Sequence, residues 1–278
     1  MKRLADYWRD HFNWKEQEER LNRLPHYLAT INDAQIHFVH QPGNGPAPLP
    51  LVITHGWPGS FVEIEQIIPM LADPGAYGGD PGDAFHVVVP SLPGYGFSPP
   101  PTAPGVSTRS IAEVWRELME GLGYSRFAAQ GGDIGAGVSV WLARLFPETL
   151  VGAHLNFIPS SYRPALGAQI PPATSDEQAY LDGAAAWMAA EGAYAHLHGT
   201  KPQTLAYALT DSPVGLAAWI VEKFRAWSDC DDDIERAFGF DALLYSVHVR
   251  TRKLRTSKRR WYQGRLASRF SGSHMDGV

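Results

Sequence analysis

Cysteine is nearly absent from this chain: Cys230 stands alone among 278 residues. An internal disulfide is therefore excluded, and so is a metal site built on several thiolates. Such low cysteine usage is typical of a reducing compartment, and the cytoplasm is the predicted location. We expect neither a metal ion nor a cofactor.

Long apolar runs are also missing. No stretch approaches the roughly 20 uninterrupted apolar residues that a membrane helix requires. The opening sequence MKRLADYWRDHFNW has no apolar run after its basic residues. We therefore expect no membrane segment and no export signal. With 44% hydrophobic and 12% aromatic residues, the chain can bury a sizeable core as one large or two modest domains.

Proline and acidic residues are missing from the C-terminal end. All 22 prolines lie at or before Pro213, and the segment after Leu244 has nine Lys or Arg but a single acid, Asp276. The first 244 residues hold 15 basic and 28 acidic residues, within a whole-chain net charge of -5. We expect residues 245–278 to form a basic tail that is disordered or non-native.

Strand and helix patterns alternate through the first part of the chain. HYLATINDAQIHFVHQ alternates apolar and polar residues on both sides of Asn32 and Asp33, which predicts a β-hairpin. Four short strands follow, in LPLVIT, FHVVVP, SRFAAQ and LVGAHLNF, with helical patterns among them. This alternation predicts an α/β fold with a mostly parallel sheet and helices on both faces. Residues 159–244 have only helical spacing and are predicted to form an all-α lid.

The stretch AQGGDIGAG has the G-x-S-x-G spacing of a nucleophile elbow, with Asp133 in the place of the serine. We expect glycine at 131 and 135 because a Cβ at either place would crowd the neighbouring backbone. A carboxylate is already ionised at pH 7, so Asp133 needs no base before it attacks a strained or activated sp3 carbon. The product is an ester of the protein. The alternative is that Asp133 is merely the N-cap of the following helix.

A second turn, HGWPGS, follows an earlier strand and is expected beside the elbow. Ligands bind beyond the carboxyl ends of the strands in such sheets. We expect the backbone N–H groups of Trp57 and Ile134 to stabilise the oxyanion of ester hydrolysis, aided by the N-terminus of the helix after Asp133. His55 and Gly56 are expected to line the pocket. The alternative for Trp57 is an exposed loop aromatic.

HGWPGS, SLPGYGFS, QGGDIGAGVS and the lid segment from EGAYAHL to FRAWSD resemble the α/β-hydrolase epoxide hydrolases of the microsomal type. LADYWRDHFNWKEQEERLNRLPHY resembles the end of their N-terminal segment, so residues 1–45 are expected to be its remnant and 46–158 the hydrolase core. The resemblance implies that an epoxide and water yield a vicinal diol through an aspartyl ester. It implies Asp133 as nucleophile and the Trp57 and Ile134 amides as oxyanion hole. It also implies that Tyr194 donates a proton to the epoxide oxygen.

Other residues of the lid are candidates for the proton donor or for metal binding. Tyr207 and Tyr162 are the alternatives for the proton donor, and Tyr194 could instead be a helix tyrosine that packs under the lid. His196 and His198 are two residues apart, which is poor helical spacing for joint metal binding. We expect both histidines at the surface.

The resembled family also needs a histidine that activates water and a carboxylate that orients it, both after the lid. Only 34 residues follow Leu244, whereas each βαβ unit takes about 30 residues or more and two would be needed. We therefore expect the resemblance to end near Leu244 and the C-terminal strands to be missing. Neither His248 nor His274 is predicted to be the base. The expected consequence is an ester that persists, with at most one turnover.

Three other functions are alternatives. Haloalkane dehalogenases also use an elbow aspartate, but they typically hold the halide with indole N–H groups, often from a Trp directly after the nucleophile, where this chain has Ile134. The chain could be an inactive fragment. It could also be a binding module that uses seven basic residues within 250–260 on a nucleic acid or acidic surface. No nucleic-acid-binding signature supports that module, so no nucleic acid partner is expected.

Overall fold

The computed structural model describes residues 1–157 and 172–251. Within these ranges six strands form one sheet: His26–Ile31 (β1), Ala34–Gln41 (β2), Leu49–Thr54 (β3), Phe85–Pro90 (β4), Phe127–Gly131 (β5) and Leu150–Leu155 (β6). Their spatial order is β1-β2-β4-β3-β5-β6. β1 and β2 pair antiparallel, as do β2 and β4, and the other three pairs are parallel. The predicted mostly parallel α/β sheet is confirmed.

The α-helices of the described ranges lie around this sheet and above its carboxyl end. They are Lys2–Asp10 (α1), Trp14–Leu21 (α2), Ile68–Ala72 (α3), Thr108–Gly121 (α4), Ile134–Leu145 (α5), Ser175–Glu191 (α6), Ala193–Thr200 (α7), Pro202–Asp211 (α8), Pro213–Ala226 (α9) and Phe240–Thr251 (α10). From residue 172 to 244 the structure contains helices and turns, as the helical spacing predicts. EQAYLDGAAAWMAAEGAYAHL does not form one helix, because the chain breaks between α6 and α7 at Gly192.

The hairpin between β1 and β2 turns through Asn32 and Asp33. Their φ angles are 49° and 63°, and positive φ at both central residues is what a two-residue type I′ turn requires. Asn and Asp tolerate this left-handed conformation better than other non-glycine residues. Ile31 pairs with Ala34 directly across the turn. The predicted hairpin is confirmed.

Successive residues of the central strands point into two separate cores. Val52 of β3 and Val88 of β4 pack beneath α4 and α5, in a core that includes the fully buried Trp115. Their neighbours Ile53 and Val87 pack on the opposite face, beneath α3. This is the alternation that a strand buried on both faces produces. Because helices cover both faces of the central strands, the turns at the carboxyl ends of these strands have a rigid base.

A third core joins the N-terminal helix to the end of the described chain. Leu4 of α1 is buried with Ile220 of α9 and with Leu244 of α10. Tyr245 and Val249 are buried on the next turns of the same helix. Residues 245–249 therefore belong to a packed helix, and the prediction that the disordered or non-native tail starts at residue 245 was wrong for them.

Glu65 ties three separate segments together. Its carboxylate is 9% exposed and accepts hydrogen bonds from Arg20 Nε of α2 at 2.7 Å and from the Tyr245 hydroxyl of α10 at 3.2 Å. Burial, followed by the charge of Glu65, raises the pKa of Tyr245. The phenol therefore stays protonated and donates to the carboxylate.

The β6 strand forms one edge of the sheet within the described residues. Positions 151–154 are exposed, so this strand differs from β3 and β4, which are buried. In the same ranges no single helix is long and apolar enough to cross a bilayer. The α8–α9 pair reaches the required length and composition across a bend of 117°.

Candidate active site

The elbow lies between β5 and α5. Asp133 has φ 53° and ψ -121°, a backbone conformation that costs a non-glycine residue about 1–3 kcal/mol and is typical of functional sites. It occupies the N-cap position of α5, but its side chain makes no capping hydrogen bond there. Asp133 therefore has the backbone position that the N-cap alternative predicts, but its carboxylate does not cap the helix and is available for another role.

Glycine is required on both sides of Asp133, as the sequence predicts. A Cβ on Gly131 would overlap the carbonyl oxygen of Gly135, and a Cβ on Gly135 would overlap the carbonyl oxygen of Thr54. The second clash shows how closely α5 approaches the end of β3. This close approach brings the two turns of the site together.

The HGWPGS turn lies directly beside the elbow because Thr54, the last residue of β3, pairs with Gly131 of β5. The backbone N–H of Trp57 donates a hydrogen bond to Asp133 Oδ1 at 2.8 Å. A Cβ on Gly56 would overlap that same carboxylate oxygen. The peptide bond between Trp57 and Pro58 is cis. Trp57 is half-buried rather than an exposed loop aromatic.

His55 and Ile134 occupy different positions around the carboxylate. Ile134 follows Asp133 as the first residue of α5, so its amide belongs to the positive end of that helix. His55 is 3% exposed, and its Nε2 accepts a hydrogen bond from the Leu92 N–H at 3.2 Å. The imidazole therefore connects the turn after β3 to the loop after β4, where its ring lies 5.4 Å from that of Tyr95.

Tyr194 reaches the site from α7. Its ring stacks on Trp57, with 4.3 Å between the ring centroids and 10° between the planes. Burial raises the pKa of Tyr194, and the charge of Asp133 raises it further. A phenol with a raised pKa is protonated at neutral pH and can donate a hydrogen bond.

Aromatic side chains of the lid surround Trp57 and Tyr194. Trp227, the residue that directly follows α9, lies 5.2 Å from Tyr194 and 5.9 Å from Trp57. Beside this cluster is a cavity of about 270 Å³. Its lining residues are Trp57, Gly94, Tyr95, His198, Leu209, Leu216, Trp219 and Ile220.

The histidines of the lid differ from the prediction in one respect. His196 is exposed, as expected. His198 is half-buried: its Nε2 accepts a hydrogen bond from Trp219 Nε1 at 3.3 Å, and its ring meets Trp57 edge-on at 5.2 Å. The expected surface position was therefore wrong for His198, because α8 and α9 fold back over the face of α7 that bears it.

The other candidates from the sequence do not join this cluster. Tyr207 is 70% exposed, and Tyr162 and His274 lie outside the described residues. His248 stacks on Phe12 and Trp14, with centroid distances of 4.9 and 5.2 Å, and its Nδ1 lies 2.9 Å from the Leu244 carbonyl oxygen. Its ring is enclosed by the N-terminal segment.

Sequence reasoning missed an ion pair beside Tyr194. Lys223 of α9 bonds Glu191, the last residue of α6, and its ammonium lies over the rings of Tyr194 and Trp227. Trp227 directly follows α9 and lies four positions after Lys223, so the two side chains lie on the same side of the end of the helix. That spacing was the available signal, but it does not indicate which residue that side meets.

Known proteins are similar to this chain over most of its length. A protein of Stigmatella aurantiaca (strain DW4/3-1), named provisionally as an epoxide hydrolase, is 43% identical over 98% of this chain and 62% of its own length. Epoxide hydrolase 1 of Oryctolagus cuniculus is 37% identical over 97% of this chain and 64% of its own. The solved epoxide hydrolase of Aspergillus niger superposes with a TM-score of 0.75 and 32% identity, over 90% of this chain and 63% of that one.

The extent of these matches has two consequences. The chain spans about three fifths of the length of these relatives. An alignment that includes 98% of the chain must also run past Leu244. The expectation that the resemblance ends near that residue was therefore wrong, because a run of basic residues is a poor guide to where relatedness stops.

Two family descriptions match the chain and overlap at their junction. Residues 1–64 match the family described as the epoxide hydrolase N terminus. Residues 50–228 match the α/β hydrolase fold, and these residues include the elbow, the HGWPGS turn and most of the lid. The chain therefore belongs to the α/β hydrolase family, in its epoxide hydrolase branch with the N-terminal segment.

Proposed function

We propose that this chain opens epoxides by attack of the Asp133 carboxylate on an epoxide carbon. One observation carries the proposal: the Trp57 N–H holds Asp133 Oδ1 at 2.8 Å while the ring of Tyr194 stacks on the Trp57 indole. A nucleophile, an oxyanion donor and a phenol thus meet at the carboxyl end of the sheet, where ligands bind in this class of fold.

The first step transfers charge away from Asp133. The carboxylate oxygen that does not bond Trp57 attacks the epoxide carbon, and the ring C–O bond breaks with its electron pair passing to the epoxide oxygen. That oxygen takes the proton of the Tyr194 hydroxyl, which leaves a tyrosinate. The products of this step are an aspartyl ester and a free hydroxyl on the alkyl group.

The second step is hydrolysis of the ester by water. The Trp57 and Ile134 amides are suited to stabilise the tetrahedral oxyanion because they lie beside the Asp133 carboxyl group and the positive end of α5. Water also needs a base. We propose that neither His248, enclosed by aromatic rings, nor His55, buried against Leu92, serves as that base.

Halide release is less well supported than epoxide opening. Halide sites in this fold use indole N–H groups, and two indoles near the cavity already donate to protein acceptors. Trp219 Nε1 donates to His198 and Trp227 Nε1 donates to Glu191. The phenol of Tyr194 instead suits an oxygen leaving group, which must be protonated as it departs.

The cavity beside Trp57 indicates the class of epoxide. Its volume of about 270 Å³ favours a small substituent, and its indole, leucine and isoleucine side chains, beside the polar groups of Tyr95 and His198, suit one with an apolar or aromatic face. We propose aromatic epoxides such as styrene oxide as substrates, consistent with a role in detoxification or aromatic hydrocarbon catabolism.

Intact mass spectrometry tests the proposal directly. Incubating the folded chain with styrene oxide should add the mass of one styrene oxide, and Asp133→Asn, which keeps the shape but removes the charge, should give no adduct. A folded wild-type chain that stays unmodified and releases no diol would refute epoxide opening. Diol release well beyond one equivalent would show that the ester is hydrolysed and would leave the opening step intact.

A further inference from the structure

Lys223 lies in the lid, beside Tyr194. It belongs to α9, and its side chain is 11% exposed. The ammonium nitrogen lies 5.5 Å from the ring centroid of Tyr194 and 5.4 Å from that of Trp227. Both distances are within the range at which a cation is attracted to a π face.

Two carboxylates hold this ammonium in place. Lys223 Nζ lies 3.1 Å from Glu191 Oε2 and 2.8 Å from Glu222 Oε2. Trp227 Nε1 donates to the same Glu191 oxygen at 3.1 Å. Burial disfavours the charged form of Lys223, but the bonds to Glu222 and Glu191 more than offset this, and the pKa of Lys223 is raised. The side chain is therefore a fixed cation at neutral pH.

We infer that Lys223 is a positioning residue for the acid step, and that its ammonium stabilises the tyrosinate formed when Tyr194 gives its proton to the epoxide oxygen. The inference rests on the proposed function of Asp133 and Tyr194. It assigns to Lys223 a role that acts through the tyrosine and needs no contact with the substrate.

The direction of charge movement explains why a cation is useful at this point. Before the reaction the negative charge is on Asp133, and afterwards Asp133 is a neutral ester and the charge has moved to the phenol oxygen. Lys223 lies against the ring that receives it. Without a nearby cation the tyrosinate would form in a half-buried aromatic cluster, where burial penalises an anion.

Several groups around Tyr194 affect its protonation. Burial and the charge of Asp133 raise the pKa of Tyr194, and Tyr95 from the loop after β4 also raises it, whereas Lys223 lowers it. His198 meets the Tyr194 ring edge-on at 5.9 Å. Among these groups, Lys223 is the one that favours the ionised phenol. Replacing Lys223 with a neutral residue should therefore raise the pKa of Tyr194.

Tyrosine titration tests the inference without any substrate. The protein is labelled with ¹³C at the tyrosine ζ carbon, and Tyr194→Phe identifies the Tyr194 resonance. Lys223→Gln should move the titration of Tyr194 to higher pH, whereas Lys223→Arg, which keeps the cation, should leave it close to wild type. Lys201→Gln removes an exposed lysine of the same lid and is the matched control.

The rate of styrene oxide adduct formation gives the second measurement. A general acid contributes about 10²–10⁴-fold to such a step, and we expect Lys223→Gln to lose roughly tenfold, with Lys223→Arg restoring most of it. If Lys223→Gln slows the adduct but leaves the Tyr194 titration unmoved, the lysine is merely structural and the inference is wrong. If wild type forms no adduct, the proposed function fails, while the titration still decides whether Lys223 favours the tyrosinate.

Discussion

Acidification from pH 7 to pH 5 should destabilise the folded chain through two histidines of β2. His37 is fully buried, with its Nε2 2.9 Å from His26 Nδ1 and its Nδ1 2.8 Å from Ser91 Oγ. Burial holds the pKa of His37 well below its usual range, and the neighbouring His26 lowers it further. His40 lies 2.9 Å from the Tyr124 hydroxyl, and burial lowers the pKa of His40 to about 4.

The magnitude follows from proton linkage. An unfolded histidine has a pKa of about 6.5, so below that pH the unfolded chain binds protons that the folded chain cannot. Each histidine then removes about 1.4 kcal/mol of stability per pH unit. Integrated from pH 7 to pH 5, the pair lowers the free energy of unfolding by roughly 4 kcal/mol. This is a large share of the ~5–15 kcal/mol that holds a typical domain together.

Urea unfolding at intervals between pH 7 and pH 5 measures the effect. In His40→Gln the free energy of unfolding should fall by only about 2 kcal/mol over this range, because His37 is then the one member of this pair that remains. His196→Gln removes an exposed imidazole and should leave the slope as in wild type. A wild-type free energy that stays flat, or a His40→Gln slope equal to that of wild type, would refute the reasoning.

Two further predictions concern the packing of the site and of the N-terminal segment. Gly135→Ala forces a Cβ onto the Thr54 carbonyl oxygen, so thermal unfolding should show a loss of about 1–3 kcal/mol and the styrene oxide adduct should form more slowly. Gly152→Ala, which meets no atom within 4 Å, should change neither, and equal effects of the two would contradict the argument. Glu65→Gln weakens a part-buried ion pair with Arg20 and a buried hydrogen bond from Tyr245, and it should cost about 1–3 kcal/mol in urea unfolding. Glu113→Gln weakens the exposed ion pair with Arg109 and should lower the free energy of unfolding by under about 1 kcal/mol. If it lowers that free energy as much as Glu65→Gln does, burial does not make the Glu65 contacts stronger.

The parts of the fold that could be predicted from the sequence are those set by short-range rules. Gly131 is required because a Cβ there would overlap the carbonyl oxygen of Gly135, four positions along the same strand-to-helix turn. Asn32 and Asp33 supply the positive φ angles of a hairpin turn by themselves. In each case the residues that decide the structure lie within a few positions of one another, so their pattern is visible in the chain.

The contacts that the lid makes around the site could not be predicted, because they join segments that are distant in the sequence. Tyr194 and Lys223 lie on different helices, and the apolar residues of the lid indicate that helices form but not which of their faces meet. His198 has the polarity of a surface residue and becomes half-buried only when Trp219 folds over it. The burial of Tyr245 likewise depends on Glu65 and Arg20, neither of which is near it in the sequence.

The packing of Leu4 against α9 and α10 has a consequence for the order in which the chain can assemble. During synthesis α1 leaves the ribosome well before α9 and α10, the helices that bury it, are made. Its apolar side chains, among them Tyr7 and Trp8, must stay exposed until then, and closing so long a loop carries an entropic cost. Contacts between segments so far apart in the sequence slow folding. They also leave an intermediate whose exposed apolar side chains make it prone to aggregate. The N-terminal segment is therefore expected to dock last, as the step that fastens the lid to the rest of the protein.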